Sequence, residues 1–121
     1  MERSRQTILI VDDDPSLRLL CRVNLELEGF EVREAATADE ARAVVADRRP
    51  DGVLLDVHLG PDGDSFELLD ELTSAGLHVA IVTGSADAAA LHPLADEVLS
   101  KPFLPDDLVA AARRLATVAG R

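Results

Sequence analysis

The sequence has no tryptophan and no tyrosine, and its three aromatic residues are Phe30, Phe66 and Phe103. Bases of single-stranded nucleic acid therefore find no row of aromatic faces to stack on. Basic residues are scarce: 12 Lys and Arg stand against 23 Asp and Glu, a formal charge of -11. A surface of that sign repels phosphate backbones, so nucleic acid is not an expected partner. The single cysteine, Cys21, excludes an internal disulfide framework and a cysteine-rich zinc site. No apolar run approaches the roughly 20 residues that span a bilayer, so no membrane partner is expected. The opening MERSRQTILIV has neither the apolar core nor the cleavage site of a secretory signal. The expectation is one acidic, cytoplasmic domain; 121 residues suffice for a buried core.

What is present is alternation. Thr7–Val11 is a continuous apolar run of strand length. Leu17, Leu20, Cys21 and Asn24 then recur at helical spacing, and Gly29 is a natural stop. Glu31–Ala35 reads as a second strand. Thr37, with Glu40 three residues on, is a capping box opening a helix that ends before Pro50. Gly52–Leu55 is a third strand. Asp64 opens a helix through Leu68, Leu69 and Leu72 that stops near Gly76. Leu77–Val82 is a fourth strand, followed by an alanine-rich stretch broken by Pro93. Glu97–Ser100 is a fifth strand, and Pro105 starts a helix carrying Leu108, Ala111, Ala112 and Leu115. Residues 1–6 read as a loose tail and 7–119 as one domain.

Repeated strand–helix alternation implies an α/β fold, a parallel sheet with helices on both faces. Ligands of such sheets bind outside the carboxyl ends of the strands. Those ends carry Asp12, Asp13 and Asp14 after strand one and Asp56 after strand three. Strand four ends in Thr83-Gly84 and strand five in Lys101-Pro102. Asp12, Asp13 and Asp56 brought together would repel, so one must hold a proton or a cation must bind. Three hard oxygen donors suit Mg²⁺. Carboxylates, a divalent cation, a lysine and a hydroxyl together suit phosphoryl transfer, with a carboxylate as nucleophile.

The runs ILIVDDDPSLRLL, VLLDVHLGPDGDSFELL, IVTG and VLSKPF, in that order and each closing a strand, resemble the receiver domain of two-component response regulators. The likeness covers about Thr7 to Ala119 and is to the single-domain, chemotaxis-regulator kind, with no effector domain. It implies a flavodoxin-like, doubly wound sheet of five parallel strands in the order 2-1-3-4-5. By this resemblance Asp56 is the phosphoacceptor, served by a sensor histidine kinase or a histidine phosphotransfer protein. Asp12 and Asp13 hold Mg²⁺ with Asp56, and the backbone carbonyl of His58 is a further metal ligand. Lys101 pairs with the phosphoryl oxygens, and Thr83 hydrogen-bonds the phosphoryl group once it is present. Lys101-Pro102 matches the family's cis peptide. Helix one is the usual docking surface, here with Leu17, Leu20 and Arg18. A downstream protein target would read the phosphorylated state.

The sequence departs from the family in three places. Val98 stands where an aromatic switch is usual, and valine has one stiff χ1. The stretch from Thr83 to Lys101 is about one helical turn short, which places a shortened fourth helix around Ala86–Ala95. The loop after Asp56 is one residue longer than usual, with Gly60 in place of a proline and Ser65 in place of a glycine. The side chains of His58 and Ser85 fall where the attacking water passes in the family. His78 and His92 lack metal-ligand spacing and read as structural or exposed. Cys21 reads as core, Asp14 as a helix cap, and Arg113-Arg114 as a solvated helix-end pair. Two alternatives stay open. One is a pseudo-receiver that binds a partner without phosphorylation. The other is a small haloacid-dehalogenase-like phosphohydrolase, with Asp12 in Asp12-Asp13-Asp14-Pro15-Ser16 as nucleophile.

Overall fold

The computed structural model describes residues 5–57, 65–84 and 92–119. The elements run β1 (Thr7–Val11), α1 (Pro15–Leu27), β2 (Glu31–Ala35), α2 (Ala38–Asp47), β3 (Gly52–Asp56), α3 (Ser65–Ser74), β4 (Val79–Thr83), a 3₁₀ turn (His92–Leu94), β5 (Glu97–Ser100) and α4 (Pro105–Ala119). All strand pairs are parallel, in the order β2-β1-β3-β4-β5, as expected.

Side chains alternate across a strand, and both faces of this sheet are covered. Leu9, Val11, Val53, Leu55, Val79 and Ile81 meet α2 and α3 on one face. Ile8, Ile10, Leu54, Ala80 and Val82 meet α1 and α4 on the other. Here Gly52 admits α4 closely: a Cβ on it would lie 3.0 Å from Leu115 Cβ. The α1 stripe on the core is Cys21 and Leu25, with Leu17 beside it. Leu20 and Asn24 are off it; Leu20 is exposed, and the Asn24 amide donates to the Leu20 carbonyl.

Helix ends follow their residue chemistry. Asp14 caps α1, accepting from the N–H of Ser16 at 2.9 Å and of Leu17 at 3.4 Å. Thr37 accepts from Glu40 N–H, and the Glu40 carboxylate reaches back to Ala36 N–H instead of the Thr37 amide. Gly29 closes α1 at φ +95, where an L side chain is strained, with Phe30 N–H returning to Leu25 C=O. Gly76 closes α3 the same way, and Leu77 N–H goes to Leu72 C=O. Leu77 thus belongs to the helix stop, and the fourth strand begins two residues later than the sequence pattern predicts.

At the amino end of the sheet, aspartates tie strands together. Asp51, just before β3, accepts from Thr7 N–H at 2.7 Å, and Asp96, just before β5, accepts from Val79 N–H at 3.0 Å. His78 Nδ1 lies 3.6 Å from the same Asp96 oxygen. Gln6, expected in a loose tail, accepts from Glu31 N–H and donates to Ala116 C=O at 2.9 Å. Arg113 and Arg114 are not merely solvated. Arg113 pairs with Glu28 and lies over Phe30, and Arg114 pairs with Glu97 at 2.9 Å, so α4 is pinned to α1 and β5. Most of the expected fourth helix lies outside the described residues, and its end is the 3₁₀ turn containing Pro93.

Candidate functional site

The parallel register assembles the site. Val11 pairs with Leu55, so the next residues, Asp12 and Asp56, leave the sheet side by side. Val82 pairs with Asp56, and Thr83 with Ser100, which brings Lys101 to the same rim. Lys101 N–H donates to Thr83 C=O at 2.7 Å, and the Lys101-Pro102 peptide is cis. The ammonium of Lys101 then lies 3.3 Å from Asp56 Oδ2.

Carboxylate oxygens of Asp12, Asp13 and Asp56 all lie within 4.8 Å of one another. Asp12 and Asp56 are buried, and Asp13 is exposed, so the cluster opens to solvent on one side. Formally, three carboxylates and one ammonium leave two negative charges. The donor set therefore fits a hard divalent cation with oxygen ligands, one that keeps waters on its open side.

Electrostatics records the strain of this arrangement. Burial pushes the Asp12 carboxyl up from 3.8 to about 6. A hydrogen bond from Asp14 N–H to Asp12 Oδ1 at 2.9 Å opposes that shift. The neighbouring Asp56 charge raises it further, Lys101 lowers it, and Asp13 adds a small rise. At neutral pH the carboxyl is thus ionised at a cost that an arriving cation would offset.

The structure brings together five of the residues singled out in the sequence: Asp12, Asp13, Asp56, Thr83 and Lys101. Thr83 is fully buried at the end of β4. Val98 sits in β5 opposite Ile81 and packs against the α2–α3 side of the core. His58, Gly60 and Ser85 lie outside the described residues. Two residues noted in the sequence for other reasons, Ser65 and Arg18, prove to be neighbours of the site. The buried Ser65 hydroxyl donates to the Asp56 carbonyl at 2.9 Å. The Arg18 guanidinium donates to the Asp12 carbonyl at 2.7 Å. Both contacts cross between elements, and only spacing within a helix was available to reveal them.

The family model for the response regulator receiver domain matches residues 8–113. The chain belongs to this family. It is similar to the phosphate regulon transcriptional regulatory protein PhoB of Pseudomonas aeruginosa, 39% identical over 87% of this chain and 49% of that protein. It is 36% identical to the DNA-binding response regulator MtrA of Mycolicibacterium smegmatis, over 93% of this chain and 51% of that one. The chain thus spans about half the length of the curated relatives it matches. Among solved structures, the receiver domain of NtrX from Brucella abortus superposes with a TM-score of 0.84 at 35% identity, covering 91% of this chain and 98% of that one. A CheY-like receiver from Methanospirillum hungatei gives 0.85 at 33% identity, covering 97% and 98%. Receivers are phosphorylated on an aspartate and bind Mg²⁺ at an acidic cluster, and a cluster of that composition stands at this receiver's sheet rim. The dehalogenase-like alternative falls with this assignment. No helix among the described residues is long and apolar enough to cross a membrane.

Proposed function

We propose that Asp56 of this receiver takes a phosphoryl group from a phosphohistidine, in a site held by Asp12, Asp13, Thr83 and Lys101. The observation that carries the reading is the Asp56 carboxylate, buried between two other carboxylates and the Lys101 ammonium 3.3 Å away. An Asp56 oxygen attacks phosphorus in line as the P–N bond breaks. The leaving imidazole keeps the bonding electron pair and an acyl phosphate forms on Asp56. Lys101 faces the incoming equatorial oxygens and offsets their charge. Thr83, which ends the next strand, would donate its hydroxyl to a phosphoryl oxygen. Asp12 and Asp13, with Asp56 and the carbonyl of His58, would hold Mg²⁺, which supplies charge neutralisation for the transferring group.

The donor is a sensor histidine kinase or a phosphotransfer protein. Helix α1 offers it an apolar surface: Leu19, Leu20, Val23 and Leu27 are all exposed. Arg18 is not part of that rim, because it is turned toward Asp12 and Glu34. The phosphorylated state then acts on a downstream protein or passes the group onward.

Acetyl phosphate with Mg²⁺ tests the assignment by intact mass. The wild-type chain gains one phosphoryl group and Asp56→Asn gains none. Labelling that survives Asp56→Asn but not Asp12→Asn would overturn the reading.

A further inference from the structure

Helix α1 carries a charged chain on the side facing β2. Arg18 Nε donates to Glu34 Oε1 at 3.1 Å, while its Nη1 donates to the main-chain carbonyl of Asp12 at 2.7 Å. The other Glu34 oxygen accepts from Arg22, one turn further along, and Arg22 also reaches Glu26 at 3.2 Å. The Arg18 and Glu34 side chains are only 18% and 25% exposed, so solvent competes weakly for this pair.

The direction of the contact follows from helix geometry. Side chains on a helix lean toward its N-terminus. Arg18 N–H already bonds to Asp14 C=O at 3.0 Å, so its guanidinium projects back past the cap, to Asp12. Asp12 is then gripped from both sides by consecutive residues of β2. Ala35 accepts the Asp12 N–H at 3.0 Å, and Glu34 holds the Asp12 carbonyl through Arg18. The Asp12 side chain is meanwhile fixed by Asp14 N–H.

We propose that Arg18 is a positioning residue for the cation site: its fork, anchored on Glu34, locks the peptide joining Asp12 to Asp13 and so aims both carboxylates at one point. The proposal rests on the reading of the acidic cluster given above. It depends on the planar fork and not on charge alone. Lysine has one ammonium on a flexible stem and cannot hold Glu34 and the carbonyl in this fixed arrangement.

The experiment uses the whole chain with Arg18→Met, Arg18→Lys and, as control, Arg33→Met. Arg33 pairs with Asp47 at 3.1 Å on the same sheet edge, so that control removes an arginine–carboxylate pair, a more exposed one, away from the loop. Two readouts are taken: amide hydrogen exchange at Asp12 and Asp14 in metal-free protein, and Mg²⁺ affinity by calorimetry. Both Arg18 variants should exchange faster at these amides and bind Mg²⁺ about tenfold more weakly, the lower end for outer partners of metal ligands. Arg33→Met should match the wild type in both. Wild-type exchange and affinity in Arg18→Met would overturn the proposal. So would full rescue by Arg18→Lys, which would reduce the effect to charge. If Arg18→Met does not fold, Arg18→Lys alone decides. The amide readout needs no metal and the phosphoryl labelling of Asp56 needs no Arg18 variant, so the two readings fail separately.

Discussion

Replacing Asp12 by asparagine should make the metal-free domain more stable at neutral pH, although it removes a site residue. The Asp12 carboxyl is buried and pushed up from 3.8 to about 6. A raised carboxyl holds its proton more tightly when folded, so its contribution is best at pH below 3.8 and is lost as pH rises through about 6. The gap of about two pH units corresponds to about 3 kcal/mol of destabilisation at pH 8. Asparagine keeps an oxygen for Asp14 N–H, with a weaker neutral bond costing about 1 kcal/mol. The net gain is about 2 kcal/mol, or about 6–10 °C in Tm for a domain of this size. The assay is thermal unfolding by circular dichroism with EDTA, in steps from about pH 4 to pH 8. The difference between Asp12→Asn and wild type should grow across that range and shrink to near zero at its acid end. A difference that does not change with pH, or a wild type more stable than the variant at the alkaline end, would refute the reasoning. Adding Mg²⁺ should raise the wild-type Tm more than that of the variant.

Lys101→Ala should retain the fold but lose at least about tenfold in acetyl-phosphate labelling rate, because the ammonium 3.3 Å from Asp56, which on the proposed reading would face the phosphoryl oxygens, is gone; a time course by intact mass checks it. Gly52→Ala should lower stability by about 1–3 kcal/mol in urea unfolding, since its new Cβ would meet Leu115 at 3.0 Å. The Cys21 thiol is buried and its pKa pushed up to about 12, so a disulfide reagent at pH 8 should react only after denaturant is added.

The sheet and most of the site were legible in the sequence for one reason. Apolar runs mark the strands, and in a parallel sheet every carboxyl end reaches the same rim. Asp12, Asp56, Thr83 and Lys101 could thus be gathered without coordinates. The contacts that steady them could not. Arg18 meets Asp12 and Glu34 only once α1 lies on β2, and Ser65 finds the Asp56 carbonyl across a loop. Leu20 shows the limit of periodicity. Spacing placed it with Leu17 and Cys21, but the packed stripe continues through Leu25, leaving Leu20 on the exposed flank. Arg113 and Arg114 illustrate the same limit for charge, because their partners Glu28 and Glu97 lie in distant elements.

The aspartates at the two ends of the sheet have opposite fates. A strand begins with unsatisfied N–H groups and ends with carbonyls, so the peptide dipoles at the two rims have opposite sign for a carboxylate. Asp51 and Asp96, at the starting rim, each hold a strand's first N–H and serve as mortar. Asp12 and Asp56, at the finishing rim, instead lie beside Asp13 and one another, and the Asp12 carboxyl is pushed up. Chain direction thus helps sort chemically identical side chains into those bound to strand N–H groups and those gathered beside other carboxylates. A domain wound this way gathers its acidic cluster at the rim where a cation would relieve it.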